Sequence, residues 1–193
     1  MHNPHHKLLE LFADLAKIDA LDIELATKLF EPIETVKGQR LVEENTVAKY
    51  LYFINSGFVR VYYYHDGSEI TNHLNCPPGF ITSFNSFING EKSNEVVECI
   101  SNCNLLRISK NDLDTLYKHS TKSAEIGRII YEQALAYNEQ RTKDIITLSA
   151  DQRYLKLMTQ HPDIIQNVPL QYIASFIGIK PESLSRIRKQ VIS

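Results

Sequence analysis

The residues of this chain best suited to chemistry gather near its C-terminus. Lys180, Glu182, Ser183, Ser185, Arg186, Arg188 and Lys189 fall within one short stretch. An arginine binds guanine O6 and N7 through two parallel hydrogen bonds, and a glutamate accepts from cytosine N4. Glu182 and Arg186 are four residues apart, so on a helix they share a face. They can read neighbouring base pairs, with the carboxylate also holding the guanidinium. Ser185 lies on the same exposed face. Lys180, Ser183, Arg188 and Lys189 suit phosphates, which position a protein on DNA rather than specify a sequence. A surface ion pair on a helical hairpin would explain Glu182 and Arg186 alone, but not the framework around them.

That framework is a helix-turn-helix. Counted from Leu170, the fourth, eighth, tenth, fifteenth and eighteenth positions must be apolar. They are Ile173, Ile177, Ile179, Leu184 and Ile187. The fifth must be small where two helices cross, and it is Ala174. The ninth must tolerate φ > 0 in the turn, and it is Gly178. Pro181 supplies a preset φ at the first position of the second helix, where no N–H is needed. The N-terminal residues of such a helix enter the major groove.

Other chemistries find no support. No glycine-rich phosphate loop, Gly-x-Ser-x-Gly or His-Glu-x-x-His occurs, so no catalytic residue and no metal ligand is assigned. Cys76, Cys99 and Cys103 are an odd number without a Cys-x-x-Cys, which favours buried thiols and a cytoplasmic setting over a disulfide framework. His65 and His73 flank a hairpin turn, where surface histidines are expected. His2, His5 and His6 surround Asn3-Pro4, which suggests a flexible end rather than a metal site.

These residues need elements to carry them. Residues 6–30 repeat apolar side chains at helical spacing (Leu8, Leu11, Phe12, Leu15, Ile18), predicting one or two short helices that cap the neighbouring β region. From 33 to 108 the chain turns to β-rich runs such as KYLYFI, FVRVYYYH and NEVVECI, with five of the seven glycines at turn spacing. Asp66-Gly67, between Val59–Tyr64 and Glu69–Leu74, predicts a type I′ hairpin. The stretch reads as an antiparallel roll, with any ligand cavity inside it. Helix returns at 111–118. A long segment then places Ile126, Ile130, Ala134, Tyr137, Arg141, Ile145 and Leu148 close to a seven-residue seam. This is either an amphipathic helix lying on the roll or a dimer helix. Ser149 and Gln152 form a capping box that opens a further helix, which stops at His161-Pro162.

Length, at 193 residues, allows one large domain or two small ones. No stretch reaches the ~18 apolar residues of a membrane span, and the N-terminus lacks a signal-peptide pattern. The net charge of −2 hides an asymmetry. From residue 148 onward, six Lys/Arg face three acids; the first 147 residues carry −5. A basic tail on an acidic body points to an anionic partner.

Nearly the whole chain resembles the Crp/Fnr family of bacterial transcription regulators. The β region resembles the cyclic-nucleotide-binding roll at Lys37-Gly38-Gln-Arg-Leu41 and at Tyr50-Leu-Tyr-Phe-Ile54-Asn-Ser-Gly57-Phe-Val-Arg60. The segment Leu148–Leu157, with His161-Pro162, resembles the branch common in Bacteroidetes. The resemblance implies an α+β fold: N-terminal helices and a jelly roll over 1–118, a dimerisation helix over 119–148, and a helix-turn-helix over 149–193. It puts Ile126, Ile130, Ala134, Tyr137 and Ile145 on the dimer helix. It puts Gly79, Phe80, Ile81, Ser83, Phe84, Ser93 and Asn94 at the effector pocket. In cyclic-AMP-binding members a Glu holds the ribose and an Arg holds the phosphate. Here Ser83 and Ser93 stand at those positions, and Glu95 adds a like charge. Losing the bidentate cation costs on the order of a few kcal/mol, so no cofactor is expected and cyclic AMP is disfavoured. The cysteine cluster of the family's iron–sulfur sensors is also lacking, since no cysteine precedes Cys76. The β-hairpin wing that usually follows the recognition helix is expected to be missing.

The expected function is therefore that of a homodimeric, sequence-specific DNA-binding regulator. Its partners would be double-stranded DNA, a second copy of the chain, RNA polymerase and an unidentified small-molecule effector, with no membrane role and no enzymatic activity. The alternative is a ligand-binding sensor whose helical tail contacts protein rather than DNA.

Overall fold

A computed structural model describes residues 3–192. Two helices come first, α1 (His6–Leu15) and α2 (Ala20–Leu29). Leu8 and Phe12, one turn apart, are buried. Asp19 caps α2 by accepting from the Leu21 and Asp22 amides, while Asp22 Oδ2 accepts the Asp19 N–H at 2.8 Å. His5 is anchored: it is buried and its Nε2 lies 2.7 Å from the Phe30 carbonyl oxygen. His6 pairs with Glu10 on α1, and His2 lies outside the described residues.

The roll is built as the alternation predicts. Its strands are β1 (Glu31–Thr35), β2 (Arg40–Val42), β3 (Tyr50–Ser56), β4 (Val59–His65), β5 (Ser68–Asn75), β6 (Gly79–Ile81), β7 (Val96–Cys99) and β8 (Cys103–Ser109). They form two antiparallel four-stranded sheets, in the orders β1-β8-β3-β6 and β2-β7-β4-β5. A short helix, α3 (Phe84–Asn89), comes after β6. Asp66 and Gly67 both take positive φ (47° and 73°), the geometry of the hairpin turn read from the sequence. The core is continuous from Leu8 and Phe12 through Phe53, Ile54, Val61 and Leu106 to Leu113 and Ile126.

The second half is helical: α4 (Lys110–His119), α5 (Thr121–Thr147), α6 (Ala150–Gln160), α7 (Pro162–Asn167), α8 (Leu170–Phe176) and α9 (Pro181–Ile192). Ser149 and Gln152 form the reciprocal cap of α6. Pro162 does end that helix, but it also opens α7 at its first position, an element the sequence reading lacks. No described helix is long and apolar enough to cross a membrane.

Candidate nucleic-acid interface and sensor site

Helices α8 and α9 cross at Ala174, which is fully buried. Gly178 makes the turn between them at φ 75°, and the Ile179 N–H closes it on the Ala174 carbonyl at 3.0 Å. Ile173, Ile177, Leu184 and Ile187 fill a second core with Tyr154 and Leu157 of α6 and Ile164 of α7, and Ile179 packs at its edge. Every framework position thus points inward or turns the chain. On α9 Glu182, Ser183, Arg186 and Lys189 are exposed, as are Pro181 and Gln190, with exposed Lys180 just ahead of the helix. Ser185 and Arg188 are half-buried on the flank, and the Ser185 hydroxyl is taken up by the Pro181 carbonyl at 3.1 Å. Among the described residues no Glu182–Arg186 ion pair is formed, and both residues are exposed.

The helix-turn-helix is docked on the roll. Ser175 Oγ accepts the Thr71 N–H at 2.8 Å and donates to the Glu69 carbonyl at 3.3 Å. Leu74, Ile100 and Phe58 of the roll complete the second core. Beside them, the Arg60 side chain is 2% exposed. It donates to Glu98 Oε2 from Nε and Nη2 (2.8 and 2.6 Å) and to Glu69 Oε2 from Nη2 (2.7 Å). Its guanidinium sits 4.0 Å from the Tyr62 ring centroid and 3.7 Å from that of Tyr172 on α8. Burial works against this charge, yet the bonds to Glu69 and Glu98 keep its pKa above the ordinary arginine value. The long helix holds the unit from the other side. Arg141 donates to the Phe176 carbonyl at 3.0 Å, and Arg153 on α6 donates to those of Ile177 and Leu148 at 2.9 and 2.6 Å.

The sensor residues divide. Ser83 Oγ donates to Glu95 Oε2 at 2.9 Å, and Asn72 Nδ2 donates to Glu95 Oε1 at 2.6 Å. Ser93 Oγ lies 2.9 Å from Ser83 Oγ and accepts the Glu95 N–H at 3.0 Å. The cradle is therefore closed on a carboxylate of its own chain. Asn72 reaches it because the β4–β5 register shifts between Val61 and Tyr62, and such a bulge re-aims a side chain. Sequence carried no signal for that contact. Ile81 is buried and Asn94 is exposed. Gly79, Phe80 and Phe84 border a different space, a cavity of about 580 Å³ bounded by the β5–β6 turn, α4, α5 and His161. His73, expected on the surface, lies on its wall. Burial, assisted by Arg141 and opposed by Glu95, lowers its pKa.

Residues 32–120 match the family model of the cyclic nucleotide-binding domain. The chain is similar in structure to the c-di-GMP responsive global regulator CLP of Xanthomonas campestris, at 20% identity and TM-score 0.66, covering 90% of this chain and 91% of that one. FixK2 from Bradyrhizobium japonicum aligns at 16% identity and TM-score 0.70, covering 84% of each chain. A structure described as a transcriptional regulator of the crp/fnr family from Eubacterium rectale aligns at 17% identity and TM-score 0.69, covering 93% and 85%. No curated protein sequence matches. Residues 32–120 thus match a cyclic nucleotide-binding domain, and the fold of the whole chain is similar to that of Crp/Fnr regulators. At these identities the likeness to solved structures is one of fold, and it covers the roll, the long helix and the helices beyond it.

The apolar residues of the long helix divide between its two readings. Ile126 is wholly buried in the roll's core and Ile130 packs against it. Ala134 and Tyr137 line the cavity, and Arg141 faces α8. Ile126 and Ile130 are occupied by their own chain, because the roll competes for the same apolar stripe. Tyr137 (41%) and Ile145 (44%) stay exposed, joined by two residues the seam omitted, Leu135 (62%) and Ile146 (77%). Cys99 and Cys103 are buried free thiols, while Cys76 is half-buried just past the end of β5.

Proposed function

We propose that this chain is a sequence-specific DNA-binding transcription regulator. It acts as a homodimer on a palindromic operator, under the control of an effector other than cyclic AMP or of none. The observation that carries this reading is the division of labour on α9. Its inner residues Leu184 and Ile187 are consumed by the core, while Glu182, Ser183, Arg186 and Lys189 stay exposed on the outer face. That arrangement suits a helix laid in the major groove, with Arg186 and Glu182 as base readers and Lys180, Arg188 and Lys189 near phosphates. The sensor reading with a protein-contacting tail draws on the α8–β5 contact. That contact uses Tyr172 and Ser175 and leaves the outer face of α9 exposed, which favours DNA.

Selection of bound DNA from a random pool with the full chain tests the proposal. A palindromic motif is expected, and Arg186→Ala should lose a G·C pair from it at a cost of about 1–3 kcal/mol. Recovery of no motif at moderate salt, with and without cell-extract small molecules, would sink it.

The case against cyclic AMP rests on Glu95. Its carboxylate holds the Ser83 and Asn72 donors, and a phosphate placed there would meet a like charge without an arginine to offset it. Calorimetric titration is expected to give no binding, and micromolar affinity would overturn this part.

A further inference from the structure

Arg141 carries a charge that its own chain leaves unanswered. It is half-buried between α5 and α8. Its Nη2 donates to the Phe176 carbonyl at 3.0 Å, and its guanidinium lies 4.4 Å from the Phe176 ring centroid. Among the described residues it forms no ion pair, and its other N–H groups have no acceptor. None of those free groups is sealed from solvent. A cation drawn out of water without a counter-charge is costly, and burial accordingly lowers the Arg141 pKa. The residue lines a cleft of about 220 Å³ where α5, α6 and α8 meet. Asp144 is the single acid among the described residues of that cleft, and Lys156 already holds it. Arg153, in the same wall, spends its donors on backbone carbonyls. The cleft therefore keeps an excess of positive charge, with Arg141 free to meet an anion.

Tyr137 and His161 border both this cleft and the 580 Å³ cavity. Tyr137 is 41% exposed, so it stands at a rim rather than as a sealed partition. Arg141 is near enough to favour ionised Tyr137 and to oppose the cation of His73 on the cavity wall. The cavity itself has the size of a small-molecule site. None of its described lining residues is a lysine, arginine, aspartate or glutamate, and Phe30, Phe80, Phe84, Tyr117 and Tyr131 supply much of the wall. An apolar chamber whose rim leads to an unpaired guanidinium is complementary to a molecule that is apolar along its body and anionic at one end.

We infer that the two spaces form one site for an amphipathic organic acid, whose apolar body fills the chamber and whose carboxylate accepts from the free Arg141 N–H groups. Such a bond is charge-assisted, and stronger than one between neutral groups. The same guanidinium holds the Phe176 carbonyl, two residues ahead of Gly178 in the turn of the helix-turn-helix. Occupancy is therefore coupled to the seating of α8. That coupling rests on the regulator reading above; the binding itself does not.

The test uses the full chain without DNA, so its outcome is independent of operator recognition. Two dyes with the same ring system, both brightening in apolar surroundings, are titrated: anionic anilinonaphthalene sulfonate and uncharged N-phenylnaphthylamine. Saturable binding of one anionic dye per chain is expected. Arg141→Gln should weaken the anionic dye by roughly tenfold and leave the neutral dye within about twofold, which shows the chamber intact. Arg141→Lys, which keeps the charge, should restore part of the loss. Ala134→Phe, which fills the chamber, should weaken both dyes by roughly tenfold or more. Decanoate should displace the anionic dye at several-fold lower concentration than uncharged decanamide. Non-saturable binding overturns the inference. So does an Arg141→Gln variant that weakens both dyes alike or neither, or an Ala134→Phe variant that spares the anionic dye. Should Arg141→Gln fail to fold, the decanoate and decanamide comparison on the unaltered chain decides, and equal potency overturns the inference.

Discussion

Two side chains show how burial sets chemistry in this chain. Ser123 keeps a hydroxyl in a dry wall with nothing to bond. Ser123→Ala therefore removes a penalty, and the ligand-free protein should gain about 1 kcal/mol in urea unfolding. His73 carries a folded-state pKa below its ordinary value because burial disfavours the cation. The native state then binds fewer protons than the unfolded one between the folded pKa and the unfolded value of about 6.5. Its stability is complete above that unfolded value and falls as pH drops through the window below it. In His73→Gln this part of the acid sensitivity should vanish, read as a smaller loss of urea midpoint on going from neutral to mildly acidic buffer. A His73→Gln curve that tracks the wild type would show that the imidazole is not held neutral.

At the scale of elements, two contacts decide how pieces meet. Helices α4 and α5 approach so closely that a Cβ on Gly127 would lie 2.3 Å from Tyr117 Oη and 2.6 Å from Cζ. Gly127→Ala should cost about 1–3 kcal/mol by overpacking. Tyr117→Leu in the same chain should recover most of it, as a double-mutant cycle in denaturant would measure. The second contact is the Arg60 stack that fastens α8 to the β4–β5 ribbon. Arg60→Met leaves Glu98 with an uncompensated, mostly buried charge and frees Tyr172. A loss of about 2 kcal/mol is expected, below that of a fully enclosed pair because Glu69 opens to solvent. Hydrogen exchange of the α8 amides should quicken in that variant ahead of the roll. Unchanged α8 protection would show that the Ser175 bonds and the second core hold the unit alone.

For the whole molecule, the exposed stripe of α5 is the feature that one copy leaves unsatisfied. Leu135 and Ile146 stand three turns apart on one side of the helix, opposite the roll. If two copies pair along α5, the paired Leu135→Ser and Ile146→Ser variant should shift sedimentation velocity from dimer toward monomer. The same changes at Ile126 or Ile130 should instead unfold the roll, since those side chains belong to its core. A dimer indifferent to Leu135 and Ile146 would move the interface elsewhere.

The sequence alone determined what is local or periodic. The apolar spacing from Ile173 to Ile187, the small Ala174 and the left-handed Gly178 specify a helix-turn-helix, because each constraint comes from neighbours along the chain. The Asp66-Gly67 turn, the Ser149 cap and the alternating strands are legible for the same reason. The exposed residues of α9 follow from its buried ones, since a helix has only so many sides. Contacts between distant segments were decided by the tertiary structure. Asn72 meets Glu95 only through a register shift, and Arg60 finds Tyr172 across more than a hundred residues. Which stripe of α5 faces the roll is likewise settled by competition between apolar surfaces, which one helix's spacing cannot adjudicate. The cavity belongs to the same class: its wall is assembled from α1, the β5–β6 turn, α4, α5 and His161, which lie far apart in the chain.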